Sequence, residues 1–183
     1  MGDALRIIKK DWRLLASLNA LYFCVIVIGA TLALMSPSFH LSMIRLIGSE
    51  TDMSFSSSLL YALIITLPSI ILPIWGPIIG ASKFFIWGVA YVAPIPGDMT
   101  LGSLLPQYIL MLLQGEAYIV AIFACVRQLT VALASADMGF RRALKEYIKA
   151  VFDNLKLLVI VALLLVAAAL YQVLLIPILN GFL

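Results

Sequence analysis

Between positions 155 and 176 the chain runs through leucine, isoleucine, valine and alanine with Lys156 as its one charge and no alternation of polar and apolar residues. A hydrocarbon core about 30 Å thick takes roughly 20 apolar residues per helical crossing, and every backbone polar group inside it must be paired within the segment. Strands of a lipid-spanning barrel would read as short alternating segments, so this run specifies a helix. The whole chain has the same character: 64% of its 183 residues are hydrophobic and 11% charged, and its mean hydropathy is +1.13. This is the composition of an all-α membrane protein and lies outside the range of soluble domains.

Spanning segments are expected at 14–35, 59–76, 77–96, 104–134 and 155–179, about five in all, within a single integral membrane domain over 1–183. The apolar stretch 59–96 is divided because a single helix of that length would be a rod of about 57 Å. Pro68, Pro73, Gly76, Pro77 and Gly80 interrupt it, and the turn is expected near 75–80. The polar stretch 36–58, with His40, Glu50 and Asp52, reads as a loop. The apolar run after Arg13 lacks a small-residue cleavage pattern and reads as a retained helix.

Charge tests the count. Arg6, Lys9, Lys10 and Arg13 flank the first crossing, while Arg141, Arg142, Lys145, Lys149 and Lys156 lie between the fourth and fifth. Basic clusters beside crossings stay cytoplasmic, so an even number of crossings must separate the two groups. Splitting 59–96 meets that condition and leaves Arg45 as the only outer basic residue. The expected arrangement is multi-pass in the cell membrane, with a cytoplasmic N-terminus. Two amphipathic helices should lie at the cytoplasmic interface. One covers about 139–154, with Phe140, Leu144, Ile148 and Phe152 opposite Arg141, Arg142, Lys145 and Lys149; the shorter one carries Leu5, Ile8, Trp12 and Leu15 near the N-terminus. A partner-binding helix would carry the same pattern.

Several function classes lose support. The net charge of +3 comes from juxtamembrane clusters, which set orientation and do not point to nucleic acid. Cys24 and Cys125 fall inside apolar runs and read as small buried hydrophobes. His40 has no neighbouring ligand set and no phosphate-binding glycine motif occurs, so neither a metal, a cofactor nor a catalytic triad is expected.

An ionisable group at bilayer depth is costly and marks a candidate site. Glu116 stands about twelve residues into the fourth crossing, roughly 18 Å deep, between Gln114 and Tyr118 and beside Gly115. It serves equally as a helix-joining carboxyl or as a functional one. Lys83 falls near the cytoplasmic start of the third crossing, where snorkelling is the favoured reading and a pair with Glu116 is the alternative. Arg127 is expected to anchor the end of the fourth crossing, and Gln107 and Gln172 share an outer depth at which they could hydrogen-bond. Gly76, Gly80 and Gly115 read as helix-packing positions.

Three segments together resemble the stage II sporulation protein M family of integral membrane proteins. They are Trp75-Gly76-Pro77-Ile78-Ile79-Gly80, Leu104-Leu105-Pro106-Gln107 running on to Gln114-Gly115-Glu116-Ala117, and Ala167-Ala168-Ala169-Leu170-Tyr171-Gln172 ending in Pro177. They are similar to the family's Asn-Gly-x-x-x-Gly turn, its Leu-Pro-His segment with a Glu-x-x-Ala helix, and its final Ala-x-x-x-Glu-x-x-x-x-Pro helix. Trp75, Gln107 and Gln172 stand where the family has Asn, His and Glu. The resemblance implies a multi-pass scaffold. The expected function is a non-enzymatic membrane scaffold or complex subunit, with the bilayer and either further copies or other membrane subunits as partners. The alternative is a small oligomeric transporter or channel subunit using Glu116. An intramembrane hydrolase with Glu116 as its acid or base stands third.

Overall fold

The computed structural model describes residues 2–47, 54–92, 101–135 and 139–175, which are helical almost throughout and contain no strand. The helices are α1 (Gly2–Lys10), α2 (Trp12–Met35), α3 (Pro37–Ile47), α4 (Phe55–Ser69), α5 (Trp75–Trp87), α6 (Leu101–Ala134) and α7 (Phe140–Leu170). Single π-helical turns extend α5 through Gly88–Val92 and α7 through Tyr171–Leu175. Among the described residues, three segments are long and apolar enough to cross a membrane: Trp12–Met35, Tyr108–Ala134 and Phe140–Leu175. Helix α4 is apolar but shorter, at 15 residues.

Local chemistry explains where the helices start and stop. Ser54 caps α4 by accepting the Ser57 N–H at 3.3 Å. Helix α3 opens on Ser36-Pro37, with the Phe39 N–H pointing to the Ser36 hydroxyl at 3.4 Å and the proline in the first helical position, where no N–H is needed. The stretch 37–47 is therefore helical, where the sequence reading has a loop. Helix α7 begins after Gly139, whose φ of 77° suits a residue without a Cβ.

Two boundaries differ from expectation. The 59–96 stretch does divide, but at Ile70–Ile74 instead of 75–80. Pro73 lacks an N–H and disfavours helical geometry in the residue before it. Pro77, the third residue of α5, occupies the first turn, where helical N–H groups have no intrahelical acceptor, so it starts the helix instead of ending one. Gly76 and Gly80 consequently lie inside α5. The expected interfacial helix 139–154 and crossing 155–179 are one continuous helix as far as Leu170. Nothing between them breaks a helix: Asp153 and Lys156 pair one turn apart at 2.9 Å, and Asn154 turns its amide to α6. The expected crossings at 77–96 and 155–179 end in 93–96 and 176–179, outside the described residues, as does Asp98.

Helix α6 is the centre of the bundle, with residues 117–125 buried without interruption. Helices α2, α4, α5 and α7 surround it. Gly76 and Gly80 let α5 approach α6 closely. A Cβ on Gly76 would stand 2.6 Å from the Cys125 sulfur, and one on Gly80 would overlap the Ile122 side chain. A second pair of glycines brings α2 against α5 and its π turn: a Cβ on Gly29 would stand 2.5 Å from the Phe85 carbonyl, and one on Gly88 would overlap the Ile26 carbonyl.

Candidate functional site

The polar residues fall into three groups at different heights. At one end of the bundle, Arg127 of α6 ties together chain segments far apart in sequence. Its Nε lies 3.2 Å from Asp11, between α1 and α2, and its Nη2 lies 3.8 Å from Asp153 of α7, which also holds Lys156. The Arg127 side chain is only 17% exposed, so this is an interior clamp as well as a helix-end anchor.

Beside the clamp, a hydrogen-bond chain supports the α4–α5 turn. Breaking the helix at Pro73 leaves the Ile70 carbonyl outside any helical ladder. Tyr147 of α7 donates its hydroxyl to that carbonyl at 2.6 Å, and Gln128 of α6 donates to it at 3.2 Å. Gln128 also donates to the Tyr147 oxygen at 2.6 Å and accepts from Asn154 at 3.2 Å. Asn154 gives its other amide hydrogen to the Ala124 carbonyl at 2.7 Å. Sequence reading passes over Gln128, Tyr147 and Asn154; the available signal was a proline-broken apolar stretch whose freed carbonyl needs donors from elsewhere.

The middle of the bundle holds a row of aromatic rings. Tyr22 of α2 meets Phe84 of α5 at 4.8 Å between centroids, Phe84 meets Trp87 at 5.5 Å, Trp87 meets Tyr118 of α6 at 5.6 Å, and Tyr118 meets Tyr61 of α4 at 5.7 Å. Lys83 lies at the Tyr61 end, with its ammonium 4.5 Å from that ring's centroid. It is 6% exposed, so the snorkelling anchor expected from sequence is instead a buried cation. Its level explains this: Tyr118, one ring away from Tyr61, is nine residues before Arg127, or about 13 Å inward along α6. A desolvated cation over an aromatic face gains about 2 kcal/mol. Gln114 is buried one turn before Tyr118.

Glu116 lies elsewhere. Its side chain is exposed on the outer face of α6, in a shallow cleft of about 60 Å³ shared with Asn19 and Phe23 of α2 and with Phe84 and Trp87. The aromatic row therefore stands between Glu116 and Lys83, and no ion pair joins them among the described residues. Glu116 makes no hydrogen bond or ion pair within the described chain. The rings lie beside Gly115, where a Cβ would make only ordinary contact, 3.4 Å from Phe84 and 3.5 Å from Trp87, so the packing there does not require a glycine. The Gln107 side chain lies outside the described residues, and Gln172 is half-buried in the final π turn.

Outside these groups, His40 is buried in α3, where the sequence suggested an open loop. No cluster of three metal-ligating side chains occurs among the described residues. Cys24 is exposed, contrary to its reading as a buried hydrophobe, and Cys125 is buried. Comparison with protein-family models, curated proteins and solved structures finds no match to this chain.

Proposed function

We propose that this chain is a non-enzymatic subunit of a membrane complex, held in the bilayer by about five crossings and joined to its partners through the α2–α6 face that carries Glu116 and Asn19. The observation that carries this reading is the exposed Glu116 carboxyl, which has no partner among the described residues. It stands eleven residues before Arg127, about 16 Å along the helix from the charged end and thus near mid-depth. A carboxyl facing hydrocarbon there costs several kcal/mol, which a hydrogen-bond donor on a neighbouring transmembrane helix removes. Asn19 is the other polar side chain in the cleft; it gives one amide hydrogen to the Leu15 carbonyl at 3.3 Å and has further hydrogen-bonding capacity to offer a neighbour.

The five-crossing arrangement draws support from the charged end. Asp11, Ile70, Arg127 and Tyr147 meet there, so α2, the α4–α5 turn, the end of α6 and the start of α7 share one side. The basic residues of both juxtamembrane clusters support a cytoplasmic position for that side, in the cell membrane. The resemblance to stage II sporulation protein M supports the same scaffold class.

The test is the assembled mass in a mild detergent. The parent protein is expected as a multimer or with a co-purifying membrane partner, and Glu116→Leu as a folded single chain. A parent that is monomeric and alone, or an unchanged Glu116→Leu complex, overturns the reading. The transporter alternative requires copies to enclose a path lined by Glu116; liposome flux that Glu116→Gln abolishes would favour it.

A further inference from the structure

We propose, resting on the reading of the Glu116 face as a contact surface, that its occupant is a second copy of this chain, related by a two-fold axis along the bilayer normal, with Asn19 of each copy donating to Glu116 of the other.

Copies of one sequence enter the membrane in one orientation, because the same basic clusters orient each of them. The axis of a closed pair then runs along the normal, which leaves every residue at its own depth and makes one patch meet itself. Such a patch must carry both halves of each contact at matching depths.

The Glu116 face meets that condition. Asp11 and Arg127 are ion-paired at 3.2 Å and mark a common level for α2 and α6. From there Asn19 lies eight residues along α2, about 12 Å inward, and Glu116 lies eleven residues back along α6, about 16 Å inward. One turn further in on each helix, Phe23 stands at about 18 Å and Leu112 at about 22 Å. Both pairs are thus offset by about 4 Å, which the side chains span. Phe23 is 65% and Leu112 61% exposed. A second copy therefore sets donor against acceptor and, a turn away, apolar against apolar, twice over by symmetry.

The polar groups are open to such a neighbour. Asn19 gives one amide hydrogen to the Leu15 carbonyl and keeps the other. Glu116 shares a cleft with Asn19, yet no hydrogen bond joins the two among the described residues. A partner of different sequence would have to bring a donor to the depth of Glu116 and an acceptor to that of Asn19; this chain presents both.

Reciprocity supplies the test. Chains carrying donor or acceptor dyes at the N-terminus are mixed in a mild detergent, and energy transfer gives the dissociation constant of the pair. The parent is expected to pair with itself. Asn19→Leu alone and Glu116→Leu alone each lose both intermolecular hydrogen bonds and should self-associate about tenfold more weakly. Mixed with each other, they regain one Asn19–Glu116 contact and should associate about threefold more tightly than either does with itself. That recovery also shows that both variants are folded. The double variant mixed with the parent regains neither contact and should stay at the weakened level. A mixture of the single variants that is no tighter than either alone overturns the second copy as occupant. So does a parent found only with a different membrane protein, an outcome that leaves the Glu116 face standing as a contact surface if Glu116→Leu releases that protein. Self-association unchanged in Glu116→Leu overturns both readings.

Discussion

The charged end of the bundle pairs most of its polar groups within the chain, with Arg127 Nη1 and Asn154 Oδ1 as exceptions, whereas the Glu116 face turns its carboxyl outward. At the charged end, Arg127 is shared between Asp11 and Asp153, and the carbonyl freed at Ile70 is met by Tyr147 and Gln128. At the Glu116 face the carboxyl points outward and is met by no group among the described residues. The contrast separates two uses of polarity in an apolar fold. A group satisfied within the chain fixes the tertiary structure, whereas one left for another molecule marks a contact surface.

The largest break in this contrast should come from Arg127→Leu. It leaves Asp11 without its cation, while Asp153 keeps Lys156 at 2.9 Å, and removing one partner of a partly buried ion cluster should cost about 3 kcal/mol. Thermal unfolding in detergent should show it as the greatest loss of Tm in this series. Next comes Gly88→Ala, about 2 kcal/mol, because the new methyl meets the Ile26 backbone, which cannot rotate aside. Gly80→Ala should cost less, since its obstacle is the end of the flexible Ile122 side chain. The same unfolding assay ranks the two. Tyr147→Phe removes the donor to Ile70 and the acceptor for Gln128 while keeping the ring, and should cost about 1 kcal/mol. The smallest effect on stability belongs to Glu116→Gln, within about 0.5 kcal/mol, because an exposed side chain with no partner among the described residues is being changed. Its effect should emerge in assembly, as slower-sedimenting complexes. A destabilisation matching that of Arg127→Leu would erase the distinction between the two regions.

Much of the fold is legible residue by residue. The apolar runs specify helices, and the break within 59–96 follows from its prolines. Its position is less legible, because Pro77 reads as a breaker in sequence but occupies a first helical turn in the fold. The helix α3 was missed although Ser36-Pro37 is a helix-start signal, because the polar residues after it suggested a loop. The continuity of α7 was missed because a change from amphipathic to wholly apolar composition looks like a boundary, yet it is only a change of surroundings along one helix.

The sites were less legible. Glu116, Lys83 and Arg127 stand out in sequence because charge is rare in such a chain, but their roles depend on direction. In a helix apolar on every side there is no amphipathic stripe to say which face turns inward. Packing decides it. The Gly76–Gly80 face turns α5 onto α6, the Gly29 and Gly88 contacts press α2 against α5, and this arrangement buries Lys83 against Tyr61 while leaving Glu116 outside.

By itself, then, the sequence determined that the chain is helical and belongs in a bilayer, because hydrophobicity and backbone pairing are properties of each segment alone. Only the tertiary structure decided which polar groups satisfy one another, since Asp11, Ile70, Arg127 and Tyr147 are brought together by helix packing.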